Sequence, residues 1–265
     1  MSLPSTEKAF HPGLGLRLSE QSLSFSYGSG YFGPEAEMRS LDAIRPSLLD
    51  PQCSGPDPVY GICMDIGKTV DREELVRRYL LFGVVAYAAG TLGREPVRSQ
   101  GHVHAISPHS GWSAPEVFEI WQGRAIIYAQ ESAGNDPGRC FAIEAGPGDH
   151  VVVPPGWAHC VINADPGERM VFGALCDRQY GFVYEGVRAH RGLAWFPLVE
   201  AGRIDWQRNP SYMPSRLLVR GPRQYDELKI RNDKPLYTQF VENPDALQWV
   251  SEPQRAADAW KNFEL

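Results

Sequence analysis

Gly101-His102-Val103-His104 with Glu116 twelve positions after His104, and a second block running Gly148, Pro154, Gly156, His159 and Asn163, hold the residues best suited to chemistry. In extended chain, residues two apart project to one face, so His102 and His104 aim both imidazoles into one space. A third imidazole from His159 and a carboxylate from Glu116, arriving on other strands, would complete a site of three nitrogens and one oxygen. Such a set suits one borderline divalent ion, whether iron, zinc, nickel or manganese. A lone His-x-His is common on surface strands; a second block in the right order favours the metal reading. His11, His109, His150 and His190 lack such context and are read as ordinary histidines, although His109 lies in the long spacer before Glu116 and could reach the pocket mouth.

The elements that must position these side chains are mostly short strands. Residues 1–55 are rich in Gly, Ser and Pro, with apolar pieces at 14–18 and 23–25, and read as an arm with one or two edge strands. A brief helix starts near Asp71, where a capping carboxylate precedes an acidic turn. Leu80 to Tyr87 is a buried strand. Further strand signals follow at 117–121, 124–130, 139–143, 150–153, 160–163 and 170–175, punctuated by Gly, Pro, Asn and Asp turns, a pattern of a closed antiparallel barrel. Alternation puts Glu116, Phe118 and Ile120 on the inward face and Val117, Glu119 and Trp121 on the other. Pro154-Pro155-Gly156 is a rigid turn that fixes where His159 lands, and Asn163 shares its face. From Gly221 the chain turns polar and ends in a helix expected from Pro253 to Phe263. The division is therefore an arm (1–55), a barrel (56–220) and an extension (221–265) docking on the barrel or on a second subunit.

At 265 residues and 43% hydrophobic content the chain can bury a sizeable core. A formal charge of −6, from 26 basic and 32 acidic residues, gives no footing for nucleic acid. Five cysteines without a Cys-x-x-Cys pair argue against a disulfide framework or a structural zinc site and fit a reducing cytoplasm. No basic-then-apolar leader pattern opens the chain, and no run approaches the ~18 apolar residues of a membrane span, so no membrane partner is expected.

The second block fits Gly-x5-Pro-x-Gly-x2-His-x3-Asn without a gap, and the chain resembles the cupin superfamily. The implied fold is all-β, a cupin jelly-roll barrel (double-stranded β-helix) with N-terminal arm strands and a C-terminal helical extension. Gly90-Thr91-Leu92-Gly93-Arg94-Glu95, Ser99-Gln100-Gly101-His102-Val103-His104, Pro115-Glu116-Val117-Phe118 and Val153-Pro154-Pro155-Gly156-Trp157-Ala158-His159 narrow the likeness. With Asp57-Pro58-Val59-Tyr60, Tyr180-Gly181 and Asn209-Pro210, they resemble the cupin-type glucose-6-phosphate isomerases of archaea and some bacteria over residues 55–210.

That resemblance implies interconversion of glucose 6-phosphate and fructose 6-phosphate at a divalent metal, usually ferrous iron, held by His102, His104, Glu116 and His159. It implies that Tyr60 lines the sugar pocket, that Ser99 and the Gly101 backbone hold phosphate, that Tyr180 lies near the sugar chain, and that the protein is a homodimer. Glu116 would move a proton between C1 and C2 through an enediol, or a hydride shift would replace that route. Two departures stand out. Phe118 replaces the family's tyrosine, and Arg178 replaces a histidine, where paired hydrogen bonds from a guanidinium could bind phosphate. Arg94, Arg98 and Arg178 are the expected positive charge at the mouth. The competing readings are another metal cupin enzyme, a dioxygenase or an epimerase, and a non-catalytic sugar-binding cupin.

Overall fold

The computed structural model describes residues 10–265. Its centre is Leu80–Tyr87, eight residues buried throughout. They are buried on both faces, which a continuous apolar run requires. This strand lies between Met170–Asp177 and Tyr60–Lys68 in a seven-stranded sheet that also holds Glu116–Gln122, His150–Val153 and the edge strands Tyr31–Phe32 and Glu37–Arg39. A second sheet runs Ala158–Asn163, Ala125–Gln130, Cys140–Ala145 and Leu217–Arg220. The two face each other as the walls of the expected all-β cupin barrel.

The first sheet is antiparallel at each pairing, whereas Cys140–Ala145 and Leu217–Arg220 run parallel. The sequence pattern points to an antiparallel barrel; the late strand, which follows a hairpin of Trp195–Glu200 with Arg203–Arg208, joins parallel instead. Beyond the free edge of Ala158–Asn163, His102 and Arg98 form single bridges to His159 and Ile162, continuing that sheet by an irregular strand.

The arm is knitted into the barrel, since Arg39 pairs with Tyr60 and Glu37 with Ile62. The extension also packs on it: Phe82, on the outer face, meets Tyr237 at 4.8 Å and Phe240 at 5.8 Å between ring centroids. One apolar cluster runs from Leu14 to Leu265. The helix expected at Pro253 to Phe263 is instead a 3-10 turn, Pro253–Ala256, and one α turn, Ala257–Trp260. Aromatic packing decides this. The Trp260 indole donates back to the Pro253 carbonyl at 2.8 Å and packs on Trp249, while Phe263 stacks on Tyr225, so the segment curls around its rings. Leu236–Glu242 supplies the extension's longest α-helix. Among the described residues no helix is long and apolar enough to cross a membrane, and the five cysteines are free and buried.

The alternation along Glu116–Gln122 divides the strand as expected. Glu116 and Phe118 face the barrel cavity. Glu119 points outward yet is only 2% exposed, because the extension covers it. Its carboxylate accepts from Leu236 N–H at 2.6 Å, from His150 Nε2 at 3.0 Å and from the Trp121 indole at 2.7 Å.

Candidate metal centre

His102 and His159 face each other across a reciprocal backbone pair, His102 N–H to the His159 carbonyl at 3.0 Å and His159 N–H to the His102 carbonyl at 2.9 Å. Such a pair brings side chains of the same face close together, and the two rings lie 4.4 Å apart between centroids. His159 enters from a tight turn in which Gly156 takes φ +80°, Pro155 precedes it, and Trp157 N–H reaches the Pro154 carbonyl at 3.4 Å. Proline then a glycine of positive φ is the requirement of a type II turn. His104 follows His102 by two and pairs with Phe182.

Each of the four side chains brings one ligating atom to within 4.8 Å of the others: His102, His104, Glu116 and His159. His104 Nδ1–H donates to the Ala114 carbonyl at 2.9 Å, and His159 Nδ1–H to the Trp157 carbonyl at 3.1 Å. A carbonyl can only accept, so both rings carry hydrogen on Nδ1 and turn Nε2 inward, toward Glu116 Oε2 at 3.3 Å and 3.2 Å. Carbonyl bonds of this kind fix ring orientation and tautomer in metal sites. His102 Nε2 is buried and has no partner. An orphaned imidazole nitrogen among two others and a carboxylate is a donor set suited to a divalent cation.

The charges follow from this crowding. Burial pushes the His102 imidazole well below the ordinary histidine value, and His159 and His104 push it further. Burial acts against the protonated form of His104 too, but the hydrogen bond and charge of Glu116 outweigh it and raise that group. Burial likewise works to raise Glu116, and the hydrogen bonds and charge that the His104 and His159 rings offer when protonated overcome it, holding the carboxyl well below its usual range.

The cluster sits in the wall of the barrel cavity. Tyr60, Ser99, Gly101, Glu116, His102 and His159 line it together with Phe118, Phe172, Phe182, Tyr87, Cys160 and Tyr184. Gly101 takes φ +89°, and a Cβ there would stand 2.9 Å from Leu193 Cδ1. Ser99 Oγ accepts the Val161 N–H at 3.1 Å. Burial drives the Cys160 thiol up to about 12.

The arginines expected at the mouth lie elsewhere. Arg178 and Tyr180 are outside the cavity lining. A register shift between Met64 and Ile66 turns Asp65 outward with φ +70°, and Arg178 binds it at 2.7 Å. Tyr180 packs on Phe182, 5.3 Å between centroids. Arg98 is buried as an internal strut, bound to Glu95, to the Ser99 carbonyl and to the Ser47 carbonyl. Arg94 pairs with Glu200 at 2.5 Å on the surface. The arginine that lines the cavity is Arg39, from the arm. His109 stacks on Tyr79 at 3.7 Å, away from the mouth. Asn163 clamps a turn, donating to the Ala88 and Glu168 carbonyls.

The family model for glucose-6-phosphate isomerase (GPI) matches residues 48–215. The chain belongs to that family. The match includes all four clustered residues and leaves out the arm strand of Arg39. Glucose-6-phosphate isomerase of Thermococcus litoralis is 30% identical over 134 residues, 50% of this chain and 64% of that protein. The Thermococcus gammatolerans enzyme is 27% identical over 133 residues, 50% of this chain and 65% of that one. The matched stretch thus spans just under two thirds of these relatives. Among solved structures, hazelnut (Corylus avellana) vicilin aligns at 12% identity and TM-score 0.37 over 58% of this chain and 36% of that one.

Proposed function

We propose that this member of the isomerase family interconverts glucose 6-phosphate and fructose 6-phosphate, with a divalent metal, ferrous iron first, held by His102, His104, Glu116 and His159. The observation that carries this reading is the buried, partnerless Nε2 of His102 beside two imidazoles whose tautomers are fixed to face it. When bound, such an ion polarises the oxygens on C1 and C2 of an open-chain sugar, making the proton on the adjacent carbon more acidic.

This chain's own groups supply the rest. Both imidazoles reach Oε2 of Glu116, and Oε1 has no hydrogen-bond partner among the described residues. Oε1 is therefore the atom that carries a proton between C1 and C2 through an enediol. Phe118, Phe172 and Phe182 keep water from that transfer and strengthen every charge interaction near it. Tyr60 and Tyr184 offer hydroxyls to the sugar chain.

The test is a coupled assay of fructose 6-phosphate turnover after chelation and re-addition of iron, manganese, zinc or nickel. Activity returns with one of these ions, and His159→Ala fails to retain metal. Glu116→Gln keeps part of its metal and loses turnover; equal turnover in both proteins refutes the role of Oε1. The apolar wall formed by Ile62, Met64, Val85 and Phe118 favours a second reading, a metal-dependent dioxygenase or epimerase acting on an unphosphorylated substrate. Oxygen uptake without sugar-phosphate turnover would select the dioxygenase, and inversion of an unphosphorylated substrate the epimerase.

A further inference from the structure

Arg39 is the only arginine or lysine among the described residues lining the cavity. It arrives from the arm, outside the stretch that matches the family model. The strand Glu37–Arg39 places it directly opposite Tyr60, and its guanidinium sits 6.0 Å from the centre of the Tyr60 ring. Its Nε is buried and has no partner. Its ion pair is to Glu37 at 2.9 Å, whose side chain is 69% exposed. A pair with so open a partner is weak in water and yields readily to a better anion. Desolvating an N–H donor without a partner is unfavourable, and an acceptor brought into the cavity relieves it. Tyr184 continues the same wall, its ring 6.0 Å from that of His102. A second cation, Arg188, lies 5.0 Å from the Tyr184 ring and bonds Gln100 of the lining.

We propose that Arg39 is the anion anchor of this cavity, taking the phosphate of a sugar phosphate at the end lined by Tyr60 and Tyr184 while the reacting carbons lie at the histidine cluster. The inference rests on the isomerase reading and adds what selects a phosphorylated over a free sugar. A guanidinium can meet a phosphate dianion with two parallel N–H bonds, and the buried Nε is one of the two donors on that edge. It replaces Arg178, whose guanidinium is held by Asp65 outside the cavity. The anchor is thus a property of the arm of this chain.

The test uses the metal-loaded full chain, calorimetric titration with inorganic phosphate, and steady-state turnover of fructose 6-phosphate on the same preparations. In Arg39→Gln, phosphate affinity falls by about 10-fold or more and KM rises by a similar factor, with kcat within about 3-fold and metal content unchanged. Arg39→Lys, which keeps charge but not the fork, recovers part of the loss. Arg39→Met, which keeps an apolar stem over Tyr60, repeats the measurement if the Gln variant folds poorly. Wild-type protein that binds no phosphate, unchanged affinity in the Gln and Met variants, or a loss found in Arg178→Gln instead, each overturns the anchor. Phosphate binding that depends on Arg39 in a protein that turns over no hexose phosphate supports the anchor and removes the isomerase reading. An active enzyme indifferent to Arg39 does the reverse.

Discussion

Removing the Glu119 carboxylate tests how the outer face of the site strand is held. Glu119→Ala strands three buried donors at once: Leu236 N–H, the His150 ring and the Trp121 indole. Hydrogen bonds to a charged acceptor contribute about 1.5–3 kcal/mol each, and an orphaned buried donor costs about 1–3 kcal/mol. Partial relaxation and water entry reduce the sum, so the expected loss is about 4–6 kcal/mol out of the ~5–15 kcal/mol that a folded domain has. Glu119→Gln is the internal control. Its amide oxygen, in the place of Oε1, still accepts from Leu236 and His150, while its NH2 faces the Trp121 N–H donor to donor, so one contact of three is lost, costing about 1.5–3 kcal/mol. Urea unfolding followed by tryptophan fluorescence reads both, with the midpoint shift converted through a common slope. Metal content of the folded Ala variant stays at the wild-type level, because Glu116 is three residues away on the opposite face. A loss below about 1 kcal/mol in the Ala variant would refute the view that Glu119 holds the extension to the barrel.

Other consequences follow from the same geometry. Gly101→Ala forces a side chain into positive φ, at about 1–2 kcal/mol, and against Leu193, so the melting temperature drops by several degrees and metal content falls as His102 shifts; an unchanged melting curve counts against this. The buried thiols, with Cys160 pushed up to about 12, stay unreactive toward a maleimide at neutral pH until urea unfolds the chain, and a fast-reacting thiol in native protein would contradict the packing. In metal-free protein His102 is held below its ordinary value, so below pH ~6.5 the unfolded chain takes up a proton that the native ring refuses, and stability falls with falling pH by up to about 1.4 kcal/mol per unit. From pH 7 to 5 the urea midpoint of wild type should fall relative to that of His102→Gln; a constant difference would reject that sign.

The parts of the fold legible in the sequence are those with a local cause. Leu80–Tyr87 reads as a buried strand because no position in it is charged and all but Gly83 are hydrophobic. His102 and His104 fall on one side because a strand alternates, and Pro155-Gly156 points to the turn that delivers His159. What escaped depends on partners far away in the chain. Arg98 reads as a surface charge until Glu95 and the Ser47 carbonyl are seen to surround it. Arg178 reads as a free cation until the irregular strand turns Asp65 toward it. Arg39 carries no motif, and only its pairing with Tyr60, twenty-one residues later, brings it to the cavity. The strand Tyr60–Lys68 was masked by its glycines and by Asp65, and the curl of the C-terminal segment by apolar spacing that fits a helix and an aromatic cluster equally well.

The stretch between His104 and Glu116 is longer than cupin patterns usually show, yet its two ends meet. Ile106 bridges Ser113, and the Ser113 hydroxyl donates to the His104 carbonyl at 2.7 Å while accepting Gly156 N–H at 3.0 Å. A Cβ on Gly111, at the tip, would touch nothing within 4 Å. The excursion therefore leaves the framework and rejoins it at the same point, and each doubling of its length costs only about 0.6 kcal/mol. Natural lengthening can accumulate here without moving the ligands, and a fluorescent peptide or affinity tag grafted at the tip would report on the neighbouring chemistry from outside it.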